Sequence, residues 1–378
     1  VSGAREQLGD ASVDLVCAFV SPAHLPAVRS VAERLRSEFP GAVLLGCSAR
    51  HCIGDATEVE EGPSLSVCVA SLPDVELHPF HVAPASLAAA GSHPERWRET
   101  LGVDPDARPS FVLLGDPASG DAEALIRCLE AAYPGAVQVG GLASASPQPG
   151  GDVLLLADAL HRQGFVGLAL SGDVAIDSIV AQGCRPVGQP MFVTRCDRNV
   201  IFELDGRRPL DVLDELAQQA SERELLLFQT SLFIGIQMDP AQTELGRGDF
   251  LVRNVIGGDR DSGALAVGAW IEETQVVQFQ LRDGVTAAED LELRLSRYAG
   301  ARYAGERRDA AGALLFSCLG RGLGMYGCES HDSAALQRFL GRVPVTGFFC
   351  NGEIGPVQGR PFLHGYTSAF GIFRPLGG

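Results

Sequence analysis

A thiol, an amide and a carboxylate crowd into GFFCNGEIGP (347–356), where Cys350, Asn351 and Glu353 lie within four residues. Asn-Gly between apolar residues is also a two-residue hairpin signal, which would put Asn351 and Gly352 at a turn tip and Glu353 toward solvent. Downstream, FLHGYTSAFGIF (362–373) alternates as a partner strand would. Pairing of the two strands would bring His364 to Glu353, an acid and a base. Upstream, CLGRGLGMYG (318–327) sets Arg321 among glycines. Gly322-x-Gly324-x-x-Gly327 matches the dinucleotide fingerprint in form only. Cys328-Glu329-Ser330-His331 separate its last glycine from the next helix, so a pyrophosphate would not meet a helix N-terminus. What survives is a loop whose backbone at Gly322 can approach a ligand, with Arg321 offering a planar fork to a carboxylate or phosphate. A solvated arginine in a loop is the alternative.

GCSARHCIG (46–54) holds Cys47, His51 and Cys52, without the fourth ligand a zinc site needs and without C-x-x-C-H to mark haem attachment. Cys47 reads as a core thiol, and His51, His93 and His331 as loop or cap residues. No G-x-S-x-G, H-E-x-x-H, G-x-x-x-x-G-K-[ST] or EF-hand pattern occurs.

These residues sit in a chain of 378 with 46% hydrophobic content, enough for two or more cores. Thirty basic against 47 acidic residues, net charge −17, argue against nucleic acid or an anionic membrane surface and leave small molecules or proteins as partners. Ten scattered cysteines, several inside apolar runs, fit reduced buried thiols. No run approaches the ~20 apolar residues of a membrane span and no signal peptide is visible, so the expected location is cytoplasmic. Val1 is not an initiator Met, which leaves open whether a leader preceded it.

The elements that must position the candidates repeat. EFPGAVLLGCSA (38–49) and AYPGAVQVGGLAS (132–144) share an aromatic-Pro-Gly-Ala-Val-x-x-Gly core, each after a helical segment, 26–37 and 121–132, that follows a short apolar strand, 13–20 and 110–115. A third copy runs through 312–320, a helix at 332–343 with Asp332 or Ser333 as N-cap, and VPVTGFFC. GCSARHCIG and GFFCNGEIG match without a gap at Gly, Ile and Gly. A fourth copy is expected around 199–206, helix 208–220 and strand 231–238. Residues 84–97 read as a linker, and the Pro- and Gly-containing stretch 184–199 as the domain boundary. The expected fold is α/β: two domains, each a duplicated strand-helix-strand-strand unit with sheets covered by helices.

Taken together, LLGCSARHCIG, GGLAS (140–144), ELDGRRPLDVL (203–213), FSCLGRG (316–322) and GFFCNGEIGPVQGRPFLHGYTSAFGIF resemble the FIST domain, a two-part module. The resemblance covers nearly the whole chain, with FIST-N at 13–190 and FIST-C at 191–375. It implies a sensory domain that binds a small ligand, amino acids among those suggested, for signal transduction. No kinase, cyclase or chemotaxis segment lies in the 378 residues, so it further implies a stand-alone sensor acting through a separate signalling protein. Arg50 and His51 replace the acidic residue and glycine common in the family, so ligand chemistry is not carried over to that loop. An amino acid needs a cation for its carboxylate, which Arg321 supplies, and an acceptor for its ammonium, which Glu353 or Asn351 supplies. The ligand-binding set is therefore Arg321, Gly322, Cys350, Asn351, Glu353 and His364. The competing readings are a haem-based nitric-oxide sensor, as in some relatives, an enzyme using Cys350, Glu353 and His364, and a protein-interaction module. The sequence identifies neither cofactor nor ligand.

Overall fold

The computed structural model describes residues 2–91, 93–303 and 309–376. Val1, and Ser92 of the expected linker, lie outside them. After a short helix α1 (Ser2–Leu8), the first copy begins with β1 (Leu15–Val20), buried along its whole length as an uninterrupted apolar run requires. A 3-10 turn at Pro22–Ala27 leads to α2 (Val28–Glu38), which buries Val28, Ala32 and Leu35. β2 (Val43–Ser48) then returns parallel to β1. A hairpin of β3 (Cys52–Gly54) and β4 (Thr57–Val59) follows, and β5 (Leu65–Ala70) comes back antiparallel to β1. After β6 (Val75–Val82), the residues read as a linker form two helices, α3 (Pro84–Ala90) and α4 (Pro94–Leu101). Each starts on a proline, whose missing N–H costs nothing in a first turn.

The second copy repeats the order: β7 (Ser110–Gly115), α5 (Ala122–Ala132) capped by the Asp121 side chain, and β8 (Gln138–Leu142) parallel to β7. The hairpin β9 (Leu154–Leu156) and β10 (Ala159–His161) follows, then β11 (Phe165–Gly172) antiparallel to β7. β12 (Ala175–Gln182) leads into a different structure.

Here β13 (Cys184–Asp197), β14 (Val200–Leu204), α6 (Pro209–Gln218), α7 (Glu222–Thr230), β15 (Leu232–Gln237), β16 (Phe250–Asp259), β17 (Ala264–Val267) and β18 (Val276–Arg282) close a barrel in the order β13-β14-β17-β16-β15-β18. The elements of the expected fourth copy are present, but β14 and β15 are not neighbours, and among the described residues the barrel strands pair antiparallel. Its core includes Val193, Ile201, Ile234, Leu265 and Phe279. The stretch 184–199 is thus a barrel strand and its end. Pro190 falls in the ladder break between Val187 and Met191, where no N–H is needed.

α8 (Gly284–Tyr303) leads to the third copy: β19 (Gly312–Cys318), a short α9 (Leu323–Tyr326), α10 (His331–Leu340), β20 (Val345–Cys350) parallel to β19, the hairpin β21 (Glu353–Val357) and β22 (Arg360–His364), and β23 (Thr367–Arg374) antiparallel to β19. The chain is α/β and forms two compact units, Val1–Val180 with Leu291–Gly378, and Ala181–Asp290. The cut expected at 190/191 follows chain order, whereas in space the segment from Leu291 rejoins the first unit.

In that unit the three copies exchange their hairpins in a cycle. Three sheets have the orders β10-β9-β2-β1-β5, β22-β21-β8-β7-β11-β6 and β12-β23-β19-β20-β3-β4. Each contains one copy's parallel pair and another copy's hairpin. The register explains the repeated residues. Gly46 lies opposite Leu155, Gly140 opposite Ile354 and Gly347 opposite Ile53, so each glycine faces the aliphatic residue of an incoming hairpin. A Cβ at any of the three would strike a backbone carbonyl of the parallel neighbour, at Ala18, Leu113 or Leu315. One core cluster joins the three sheets, with Phe19, Leu114, Leu168, Phe316 and Phe348 among its members.

Candidate functional site

GFFCNGEIGP does not form a hairpin at Asn351-Gly352. β20 ends at Cys350 in one sheet and β21 starts at Glu353 in another, so the segment carries the chain between sheets. The tight turn comes later, at Gln358-Gly359, both with positive φ as a type I′ turn demands. Glu353 and His364 do lie opposite each other on β21 and β22. Both are buried rather than turned to solvent. Glu353 Oε2 accepts from the backbone N and Oγ1 of Thr367 at 3.1 and 2.9 Å, and His364 Nε2 lies 2.9 Å from Gly355 O.

The ends of β2, β8 and β20 interlock. Asn351 donates from N to Leu142 O (3.1 Å) and from Nδ2 to Ala143 O (2.9 Å), and Phe349 N donates to His51 O (3.1 Å). Ser144 N donates to Ser48 O (3.3 Å), and Ser144 Oγ to Phe349 O while accepting from Arg50 N. Cys350 is fully buried, its Sγ against Phe348 O. Burial pushes its thiol well above the ordinary range, with the Glu353 charge adding to the effect, which is the reverse of an activated nucleophile. These contacts join loops of different copies to one another, so Asn351 and Cys350 belong to the junction.

Arg321 is the candidate in the most charged surroundings. It follows β19 at the carboxyl end of a parallel pair, where α/β sheets place ligands. Its side chain is completely buried. Nε and Nη2 donate to Asp332 at 2.7 and 3.2 Å, and Ser317 Oγ donates to the same carboxylate at 3.2 Å. Asp332 lies in the first turn of α10, and His331 Nδ1 is 2.9 Å from its Oδ1. The expected N-cap at Asp332 or Ser333 falls instead at Ser330, in the left-handed region at φ 58°. Burial alone would raise the Asp332 carboxyl; the Arg321 charge and the hydrogen bonds outweigh it and hold the group well below the usual carboxylate range.

Two residues that the sequence did not single out complete the site. Glu58, from the β3–β4 hairpin, accepts Ser333 N at 2.7 Å on Oε1, while its own N donates to Ser330 Oγ at 3.0 Å. Tyr326, at the end of α9, stacks on His331 with ring centroids 3.6 Å apart, and the Arg321 guanidinium lies 5.4 Å from its ring centre. Gly322 has φ 80°, a backbone conformation that strains any L side chain, and the Glu60 carboxylate sits against it, accepting Leu323 N at 2.7 Å. Three buried atoms in this cluster, Glu58 Oε2, Arg321 Nη1 and Tyr326 Oη, have no hydrogen-bond partner among the described residues. Such atoms are rare in native proteins and call for an explanation.

Burial, then the Asp332 charge, pushes the Glu58 carboxyl up to about 7 from 4.5. Unfolded Glu58 loses its proton near 4.5 and folded Glu58 only near 7, so across that window the unfolded state binds fewer protons and stability falls as pH rises. The loss should reach roughly 3 kcal/mol at most. Urea midpoints of wild type and Glu58→Gln at both ends of the window check it, because the variant should lose this component of the decline. Equal slopes would mean that Glu58 titrates normally.

Among the described residues no helix is long and apolar enough to cross a membrane, and no group of three or more His, Cys, Asp or Glu side chains is placed to hold a metal. The ten cysteines are free thiols.

Comparison with known proteins bears on the whole chain. The FIST N domain matches residues 14–207 and the FIST C domain residues 209–356. Uncharacterized protein Rv0628c of Mycobacterium tuberculosis is 36% identical over 370 residues, 98% of this chain and 94% of that protein. Uncharacterized protein Mb0898c of Mycobacterium bovis is 34% identical over 98% of this chain and 93% of its own length. With both domain matches in order and relatives aligned nearly end to end, the chain belongs to the FIST family, which is associated with sensory ligand binding.

Proposed function

We propose that the protein is a cytoplasmic sensor that binds an amino acid, or a molecule of like polarity, between Arg321, Glu58 and Tyr326 and signals through a separate protein. The three unpartnered polar atoms beside the first turn of α10 carry this reading. Arg321 Nη1 is a donor for a ligand carboxylate, Glu58 Oε2 an acceptor for an ammonium when ionised, and Tyr326 Oη can serve either. Asp332 neutralises Arg321 without using Nη1, so the guanidinium is held rigid while one edge stays available. Gly322 keeps its place in the site as the residue that lets Glu60 approach. Cys350, Asn351, Glu353 and His364 are proposed to position the neighbouring loops rather than to touch the ligand, since each already bonds to protein.

Calorimetric titration of the twenty common amino acids into wild type, Tyr326→Phe and Glu58→Gln tests it. At least one should bind wild type saturably, and the two substitutions, which leave the Arg321–Asp332 pair intact, should each weaken it about tenfold, the loss of one good hydrogen bond. A wild type that binds none, or variants that bind as well as wild type, would remove the site.

A further inference from the structure

The pseudo-equivalence of the first two copies exposes a second unexplained group. Ser21 and Asp116 directly follow β1 and β7, and each donates its backbone N–H to the residue preceding the returning strand, Ser64 O at 3.0 Å and Gly164 O at 2.9 Å. In the first copy the side chain also has a structural task, because Ser21 Oγ accepts Ser64 N at 2.8 Å. In the second copy the matching amide, Gly164 N, donates instead to Ser119 Oγ at 2.7 Å. Asp116 is relieved of that task. Asp116 is 1% exposed, and both carboxylate oxygens lack a hydrogen-bond partner among the described residues. An ionised carboxylate left this way is strongly unfavourable unless something pairs with it.

A second carboxylate belongs to the same group of strand ends. Ala143 N donates to Gly115 O at 2.8 Å, and two residues on Ala145 N donates to Asp152 Oδ1 at 2.9 Å. Ser48 Oγ also donates to Asp152 Oδ1, at 2.7 Å. Asp152 is as buried as Asp116, and burial together with the Asp116 charge raises its carboxyl. The chain contains no lysine, and no ion pair to either residue occurs among the described residues. Calcium and magnesium want about six or more oxygen ligands in a shell, and no group of three or more His, Cys, Asp or Glu side chains is placed to supply them among the described residues. A primary ammonium, with three N–H donors, suits the two unbonded oxygens of Asp116 together with the Asp152 carboxylate, whose Oδ1 Ser48 and Ala145 already occupy.

We infer that Asp116 and Asp152 form a binding site for the ammonium group of a primary amine, separate in its residues from the Arg321 site. Ser48 and Ala145 hold Asp152 in place.

Thermal shift at constant ionic strength tests this with methylamine, ethanolamine and putrescine, beside tetramethylammonium, magnesium and calcium chlorides. At least one primary amine should raise the melting temperature of wild type saturably, while tetramethylammonium, which has no N–H, and the two metals should not. Asp116→Asn should melt above wild type without amine, being rid of an unpaired charge, and should weaken amine binding tenfold or more. Asp152→Asn should weaken it as well, and one of these variants folding is enough to read the effect. No saturable shift by any primary amine, an equal response to tetramethylammonium, a response to metal ions alone, or unchanged amine affinity in the variants would each overturn the site.

Discussion

Asp332→Asn should lower the unfolding free energy by about 3–5 kcal/mol, the usual consequence of removing one partner of a buried ion pair. The substitution keeps the shape of the side chain, so what it removes is charge. Arg321, with no exposed side-chain surface, would then be a buried cation without the carboxylate that bonds it. The first turn of α10 would also lose the negative charge that favours a helix N-terminus, a smaller term of about 0.3–1 kcal/mol. Arg321→Met combined with Asp332→Leu should recover most of the loss, because replacing both members of such a pair by apolar groups of similar volume is often close to neutral. The readout is the urea midpoint at constant denaturant slope. A double variant as unstable as Asp332→Asn would show that the cost comes from packing, and that the pair does not set the stability of this corner.

Gly347→Ala should be more damaging than its single added methyl suggests, on the order of 3 kcal/mol or more, at or beyond the upper end of overpacking costs. The obstacle is the carbonyl of Leu315 in a central parallel strand, with the β3 hairpin on the other side at Ile53. A flexible side chain could turn away; a laddered backbone cannot. Gly300→Ala in α8, where an added Cβ meets nothing within 4 Å, should instead stabilise by about 0.5–1 kcal/mol through helix propensity. The pair of melting curves separates the two effects. Gly347→Ala melting within a few degrees of wild type would mean that β19 and β20 are not packed as closely as described.

The three parallel pairs were legible because each is local: apolar strand, amphipathic helix and second strand lie within one short stretch, and periodicity reports on short stretches. The matched Gly, Ile and Gly of 46–54 and 347–355 marked a real constraint, the close approach of two strands with an aliphatic residue from the opposite hairpin. Which sheet each hairpin joins was not legible, since Cys52–Gly54 and Glu353–Val357 carry the same pattern whether they fold back or cross over. The barrel misled for a related reason. NVIFEL, the helix read over 208–220 and SLFIGIQM have the order of the other copies, and only the non-local antiparallel ladders distinguish them. Arg321 and Gly322 stood out in the sequence through their glycine loop. Glu58 was not, because its partner amide at Ser333 is 275 residues away in sequence, and Thr-Glu-Val beside Glu60 and Glu61 reads as a solvated acidic run. Asp116 was hidden in Gly-Asp-Pro, a common way to leave a strand.

The cyclic exchange of hairpins also orders events during synthesis. When the ribosome has released the residues matched by FIST N, the β10-β9-β2-β1-β5 sheet has every strand it needs. The β3–β4 hairpin, however, has no sheet to enter until β20 emerges, and β8 lacks a neighbour on one edge until β21 does. Contacts spanning such distances form late, so a nascent chain carries exposed strand edges through most of its translation. The same wiring bears on inheritance: a recombination event that separated the two halves would strand each with half-built sheets, so FIST N and FIST C have to be passed on together.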